Sequence, residues 1–356
     1  MTPAVGDRPR IVVRADASAR IGLGHLRRCT ALGRRLQAAG AAVHFLTRTE
    51  GIDSAQETGG FADAYVALDP ALPVRDDAAL TAAYCHSVGA TRLIVDHYHA
   101  DEHYQRVLLD SGVPWLQFDG AASMPLWADW IVSMSPAADE ARYRALQCRP
   151  QTRLLLGPHY AILREECLQR RGSLRPVSPQ AERLLITFGG GDDRGACLAS
   201  LEAIRHAGRF ETTILTSGYN PHISSIRVQL ERTVGFRGRL LIDDTDVARR
   251  MTEADIAITA GGTTTFEMAM LGLPMLIIQI ADNQRANAQA WQRTGVAVDL
   301  GPLEELNMDR LRDQLVGLAG DPARREQMSM LGRQCVDGLG AERIARELCP
   351  EIGVLS

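Results

Sequence analysis

Three stretches of this sequence place glycines, histidines, acids and amides at spacings that could do chemistry. Residues 254–291 read as strand, glycine turn, helix, strand, loop and helix. Ile256, Ala257 and Ile258 form a short apolar strand, Gly261 and Gly262 break it, and Thr263 or Thr264 is placed to cap the following helix. Glycines ahead of a helix let unpaired backbone N–H groups approach an anion, and the helix dipole favours negative charge there. Glu267, one turn in, would accept hydrogen bonds from vicinal hydroxyls such as those of a ribose. A phosphate beside a ribose means a nucleotide. Ala281-Asp282-Asn283-Gln284 adds a polar cluster at a strand's carboxyl end, where open α/β sheets bind ligands.

The second stretch is Gly22-Leu-Gly24-His25-Leu-Arg27-Arg28 with Asp16 shortly before it. A helix is expected over 26–39, with His25 at its N-terminus, where the dipole disfavours imidazolium and leaves a neutral ring able to accept a proton. The third glycine of a dinucleotide fingerprint is missing, and the next strand lacks the acid that would hold a ribose. The third stretch, Asp96-His97-Tyr98-His99 with His103, follows an apolar strand. Tyr98 is expected to reach a ligand. His97 and His99 could share a face, but no partner motif with metal-ligand spacing stands out, so no metal is expected. A further turn, Gly189-Gly190-Gly191, again offers donors between a strand and a helix, and the aspartates at 243, 244 and 246 read as a helix cap.

Apolar runs alternate with helical patterns along the whole chain, the mark of parallel sheets with crossover helices. Strands are expected at 10–14, 42–47, 64–67, 92–96, 115–119 and 130–133, and again at 183–188, 212–216, 238–242, 256–259, 275–280 and 297–300. These predict two doubly wound, Rossmann-like α/β domains with a cleft between them: residues 1–169, a polar linker at 170–182, and 183–356. The last helix is free to pack back on the N-terminal domain.

The composition narrows the function. A net charge of -4 over 356 residues leaves no electrostatic footprint for nucleic acid. Apolar runs of strand length, and an N-terminus without a signal peptide's apolar core, point to a cytoplasmic protein without a membrane partner. Seven scattered Cys residues without a C-x-x-C fit reduced thiols. All 39 basic residues are Arg, which excludes Schiff-base, pyridoxal-phosphate and Walker-lysine chemistry.

Gly189-Gly190, Ile242-Asp243-Asp244, Ala260-Gly261-Gly262-Thr263 with Glu267, and Asn283-Gln284 together resemble the nucleotide domain of two-domain UDP-sugar enzymes. Adding Asp16, Gly22-x-Gly24-His25-x-Arg27, Asp96-His97-Tyr98, Gly157-Pro158-His159-Tyr160 with Arg164, and Ala281-Asp282-Asn283-Gln284 narrows the match. Residues 10–345 resemble the UDP-2,4-diacetamido-2,4,6-trideoxy-β-L-altropyranose hydrolases of pseudaminic acid biosynthesis and related spore-coat polysaccharide proteins. Gly191 and Gly262 stand where the family pattern has serine, which keeps backbone donors and loses a hydroxyl.

The resemblance implies a GT-B-like fold and hydrolysis of a UDP-sugar to UDP and free sugar with inversion, without cofactor or metal. His25 would orient or deprotonate the water, with Tyr98 and Asn283 placing sugar and water. Asp16, Gly22, Gly24, Arg27, Asp96, Asp282 and Gln284 would complete substrate binding. Gly189, Gly190, Gly261, Gly262, Thr263 and Thr264 would hold the phosphates, Glu267 the ribose, and Ile242 and Met251 the uracil. UDP-sugar and UDP are the expected partners, with a monomer favoured. The alternatives are a glycosyltransferase using the same donor and a non-catalytic nucleotide-sugar binder.

Overall fold

The computed structural model describes residues 8–18, 23–50, 53–173, 176–205, 210–232 and 237–350. The chain forms two compact units, one running up to Arg164 and resuming at Leu339, the other spanning Glu165–Gly338.

In the first unit, β1 (Arg10–Ser18), β2 (Ala42–Glu50), β3 (Ala64–Ala67), β4 (Arg92–Asp96), β5 (Trp115–Phe118), β6 (Trp130–Ser133) and β7 (Arg153–Leu156) pair in the order β3-β2-β1-β4-β5-β6-β7. Every pairing is parallel. Strand β7 is the one absent from the sequence expectation: Arg-Leu-Leu-Leu at a sheet edge, only partly buried, has neither clean alternation nor β-branched residues. The inner strand β1 runs buried from Ile11 to Ala17, as a strand covered on both faces must.

Helix Gly24–Ala38 packs on this sheet through Leu26, Cys29, Leu32, Gly33 and Leu36, a stripe at helical spacing. The C-terminal helix Gly340–Leu348 shares the same core, burying Ala341, Ile344, Ala345 and Leu348 at i, i+3, i+4 and i+7. Fully burying Ile344 and Leu348 contributes roughly 1.5–3 kcal/mol apiece.

In the second unit, β8 (Arg183–Thr187), β9 (Glu211–Thr216), β10 (Arg237–Ile242), β11 (Ile256–Thr259), β12 (Met275–Gln279) and β13 (Ala297–Pro302) pair in parallel as β10-β9-β8-β11-β12-β13. Both sheets reverse their strand order beside the first strand of the unit, between β1 and β4 and between β8 and β11. Open α/β sheets bind ligands beyond the carboxyl ends of the strands at such a switch point. Among the described residues no helix is long and apolar enough to cross a membrane.

Candidate active site

In the first unit the switch point sets the carboxyl ends of β1 and β4 side by side, with Ala15 and Asp96 paired in register. His25 is the second residue of the helix that follows β1. Its ring lies 4.6 Å from that of Tyr98, tilted by 55°. Its Nδ1 is 3.8 Å from Asp96 Oδ1, beyond hydrogen-bonding distance, and is buried without a partner among the described residues. Burial holds the imidazole below its ordinary pKa of 6.5; the carboxylate of Asp96 pulls the other way and Arg28 reinforces the burial. His25 is therefore a neutral ring at pH 7, and desolvation leads among the causes. Tyr98 is 68% exposed.

Asp96 is held from inside the unit. It is 1% exposed, gripped by Nε and Nη2 of Arg28, and accepts a 3.4 Å hydrogen bond from the Cys29 thiol. Burial alone would raise its pKa, but the charge and hydrogen bonds of Arg28 hold it below the ordinary carboxylate value. Its place is behind His25, where an anion favours a proton on Nδ1 and leaves the lone pair of Nε2 for a substrate.

Asp16 is likewise turned inward. It is 4% exposed and pairs with the fully buried Arg14, which also donates 2.6 and 2.9 Å hydrogen bonds to Asp77. Asp77 further accepts from Arg48, Thr81 and Tyr104, and despite burial its pKa is held at about 2, chiefly by Arg14. Both carboxylates that the sequence reading names as substrate contacts are ion-paired with arginines, pairings that the linear sequence gives no means to make. Arg27 and Gly24 are exposed at the helix start, where no side chain forms a capping hydrogen bond. Gly22 lies outside the described residues. His97 is 7% exposed and its Nδ1 accepts the His99 N–H at 3.1 Å, so it is a turn-bracing core residue.

In the second unit the loops after β8 and β11 flank the switch point. Gly189, with φ of 94°, Gly190 and Gly191 are exposed. Their N–H groups have no partner among the described residues, so all three are open to an anion. The Gly190 carbonyl accepts the Ser217 hydroxyl at 2.6 Å, tying this turn to the loop after β9.

Gly261 behaves differently. Its N–H donates to Gln284 Oε1 at 3.2 Å, and that oxygen also accepts from Ile280 N at 3.1 Å. A Cβ on Gly261 would press on Gln284 and Ala288. Gly261 and Gln284 thus brace the turn against the next helix. The donors left here are Gly262, Thr263 and Thr264, at the start of helix Thr264–Leu271. Neither threonine caps it through its side chain; the Thr265 hydroxyl instead bonds the Gly262 carbonyl at 2.7 Å. Glu267 lies in the first helical turn, 6% exposed. Asp282 and Asn283 are exposed in the 3-10 turn after β12.

Met251, which the sequence reading pairs with Ile242, is 1% exposed. Ile242 is half-buried, and Asp243 beside it holds a positive φ of 53°. Asp243 takes the Gly218 N–H at 3.1 Å, while Asp246 caps the next helix through Arg249 N. An exposed aromatic that the sequence reading passes over is Tyr219, 88% exposed on the turn that Ser217 and Asp243 fasten between the β8 and β10 loops. A lone aromatic in a Ser-Gly-Tyr-Asn turn carries no periodic signal. Asp192, Asp193 and His222 have ligand atoms within 4.8 Å of one another, but the two acids brace the turn, accepting from Arg194 N, Gly195 N and Asn220.

Compared with solved structures, the chain superimposes on Acinetobacter baumannii MurG with a TM-score of 0.68, over 96% of this chain and 99% of that one, at 14% identity. The fold is GT-B. Residues 242–335 match the glycosyltransferase family 28 C-terminal domain. In sequence the chain is 27% identical over 197 residues to the spore coat polysaccharide biosynthesis protein SpsG of Bacillus subtilis, a match covering 54% of this chain and 57% of SpsG. It is 24% identical over 213 residues to the UDP-2,4-diacetamido-2,4,6-trideoxy-β-L-altropyranose hydrolase of Campylobacter jejuni, covering 58% of this chain and 73% of that enzyme.

Proposed function

We propose that this GT-B chain is a nucleotide-sugar enzyme that hydrolyses a UDP-linked sugar, with UDP-2,4-diacetamido-2,4,6-trideoxy-β-L-altrose as substrate. The observation that carries the reading is His25: a neutral imidazole with its buried nitrogen toward Asp96 and Tyr98 against its face. Water gives a proton to Nε2 as its oxygen attacks the anomeric carbon, and the C–O bond to UDP breaks with inversion. The electron pair leaves on the β-phosphate oxygen, and backbone donors of Gly189–Gly191 and of Gly262–Thr264 stabilise that charge. Glu267 takes the ribose hydroxyls, Ile242 and Tyr219 the uracil, and Asn283 the sugar. The support for this reading is the similarity to the Campylobacter hydrolase.

The family 28 match favours a second reading, transfer of the sugar to an acceptor hydroxyl by the same base. NMR of the purified chain with the UDP-sugar separates the two. Stoichiometric UDP and free sugar, the first-formed anomer inverted, supports hydrolysis; UDP binding without release supports transfer. A base of this kind contributes about 10²–10⁴-fold. His25→Asn should lose that much kcat while still binding UDP, and unchanged turnover would sink the mechanism.

A further inference from the structure

We infer that the second unit holds a separate site for a small hydroxylated anion, a phosphate ester or carboxylate, in the cavity where Arg310 and Arg324 meet. The cavity measures about 380 Å³, within the range of about 300–1,000 Å³ typical of small-molecule pockets. Gln292, Gln314, Gln327 and Met328 help to line it. Arg310 and Gln314 stand at i and i+4 on helix Met308–Ala319, so they share a face. Arg324, Gln327 and Met328 do the same at i, i+3 and i+4 on helix Pro322–Cys335. The lining therefore presents two guanidinium groups and three amides over an apolar floor, with no carboxylate among the lining residues.

Four neighbouring acids are engaged elsewhere. Asp309 and Asp313 pair with Arg312, and Asp321 caps its helix through Arg324 N. Asp299, whose main-chain oxygen takes Arg310 at 2.9 Å, turns its carboxylate to Gln279 and Gly301. Among the described residues Arg310 and Arg324 have only neutral partners, that carbonyl and the amide oxygen of Gln314 at 3.3 Å. Two uncompensated guanidinium groups facing one hollow are a binding site for an anion, which they can grip by charge-assisted, forked hydrogen bonds. The amides supply donors and acceptors for hydroxyl groups beside it.

The site is not the nucleotide loops under another name. Ala297, at its edge, is the first residue of β13 and pairs with Met275, the first of β12. The cavity thus opens at the amino end of the sheet, whereas the glycine turns follow the carboxyl ends. The inference stands whether or not the chain acts on a UDP-sugar.

The test is calorimetric titration of the full chain with inorganic phosphate, glucose 6-phosphate and citrate, in parallel with UDP. The wild type should bind at least one of the three probes saturably. Arg310→Gln with Arg324→Gln should weaken that binding tenfold or more, each single variant less, because charge-assisted bonds are the strong ones. UDP binding and the thermal midpoint without ligand should stay unchanged. Preference for the sugar phosphate or for citrate identifies which anionic group the site takes. Absence of saturable binding of all three at millimolar concentration, or binding indifferent to the double variant, would overturn the inference.

Discussion

Removing Arg28 should destabilise the first unit more than almost any other surface-accessible change. Its side chain is 22% exposed, yet its Nε and Nη2 are the principal partners of an Asp96 side chain that is 2% exposed. In Arg28→Gln the carboxylate keeps only the thiol of Cys29 and a histidine 3.8 Å away. Breaking a buried pair in this way leaves an uncompensated charge and costs about 3–5 kcal/mol, a large part of a domain's total of about 5–15 kcal/mol. The sign with pH follows. In the wild type the lowered Asp96 pKa gives stability that is complete above the ordinary value of 3.8, hence equal at pH 5 and pH 7.

Without Arg28, burial dominates and the pKa of Asp96 rises, so protonation relieves the penalty as the pH falls. The difference between variant and wild type should shrink from pH 7 to pH 5. Urea unfolding is the assay, read by tryptophan fluorescence, since Trp115, Trp127 and Trp130 all lie in the first unit. Arg28→Gln combined with Asp96→Asn should recover most of the loss because no charge remains buried. A loss below about 1 kcal/mol at pH 7, or a loss equal at both pH values, would refute the reasoning.

Other outcomes follow from single contacts. Gly340→Ala would set a Cβ on the backbone of Tyr160 and Ala161, so the C-terminal helix must shift; a loss of about 1–3 kcal/mol in urea unfolding is expected. Gln284→Ala strips the acceptor from the N–H groups of Gly261 and Ile280 and should cost roughly 1–3 kcal/mol per stranded donor, read by unfolding of the second unit. Tyr219→Ala should weaken UDP about 5- to 150-fold by calorimetry and leave pyrophosphate unaffected, since a stacked base is worth roughly 1–3 kcal/mol. Equal losses for both ligands would move the base elsewhere. Burial lowers the pKa of both His25 and His97, so each is neutral when folded and near 6.5 when unfolded. Stability should therefore fall as the pH drops below 6.5, by up to about 1.4 kcal/mol per pH unit for each histidine until its folded pKa is passed. A urea midpoint unchanged between pH 7 and pH 5 would contradict this.

Much of the fold is legible in the chain because parallel strands buried on both faces are short apolar runs bounded by glycine and polar residues. Ile256–Thr259 and Arg92–Asp96 fall where those runs predict them, while the edge strand Arg153–Leu156 has no such pattern. Local signals likewise place His25 at a helix start and Asp246 at a cap, since both depend on neighbours within a turn.

What only the tertiary structure decides is which polar side chains are already satisfied. Asp16, Asp96 and Gln284 look like ligand contacts in the sequence, and in the fold they are bonded to Arg14, Arg28 and the Gly261 turn. Asp96 and Arg28 are 68 residues apart, and the pairing exists because β1 and β4 are neighbours in the sheet. Strand order is a property of the assembled sheet, and no local run encodes it. The same order sets the two switch points, which bring His25 to Tyr98 and the glycine turns of β8 and β11 to adjacent strand ends. The residue types for this chemistry are written along the chain; their grouping, and the freedom of each to act, come from the pairing of strands far apart in sequence.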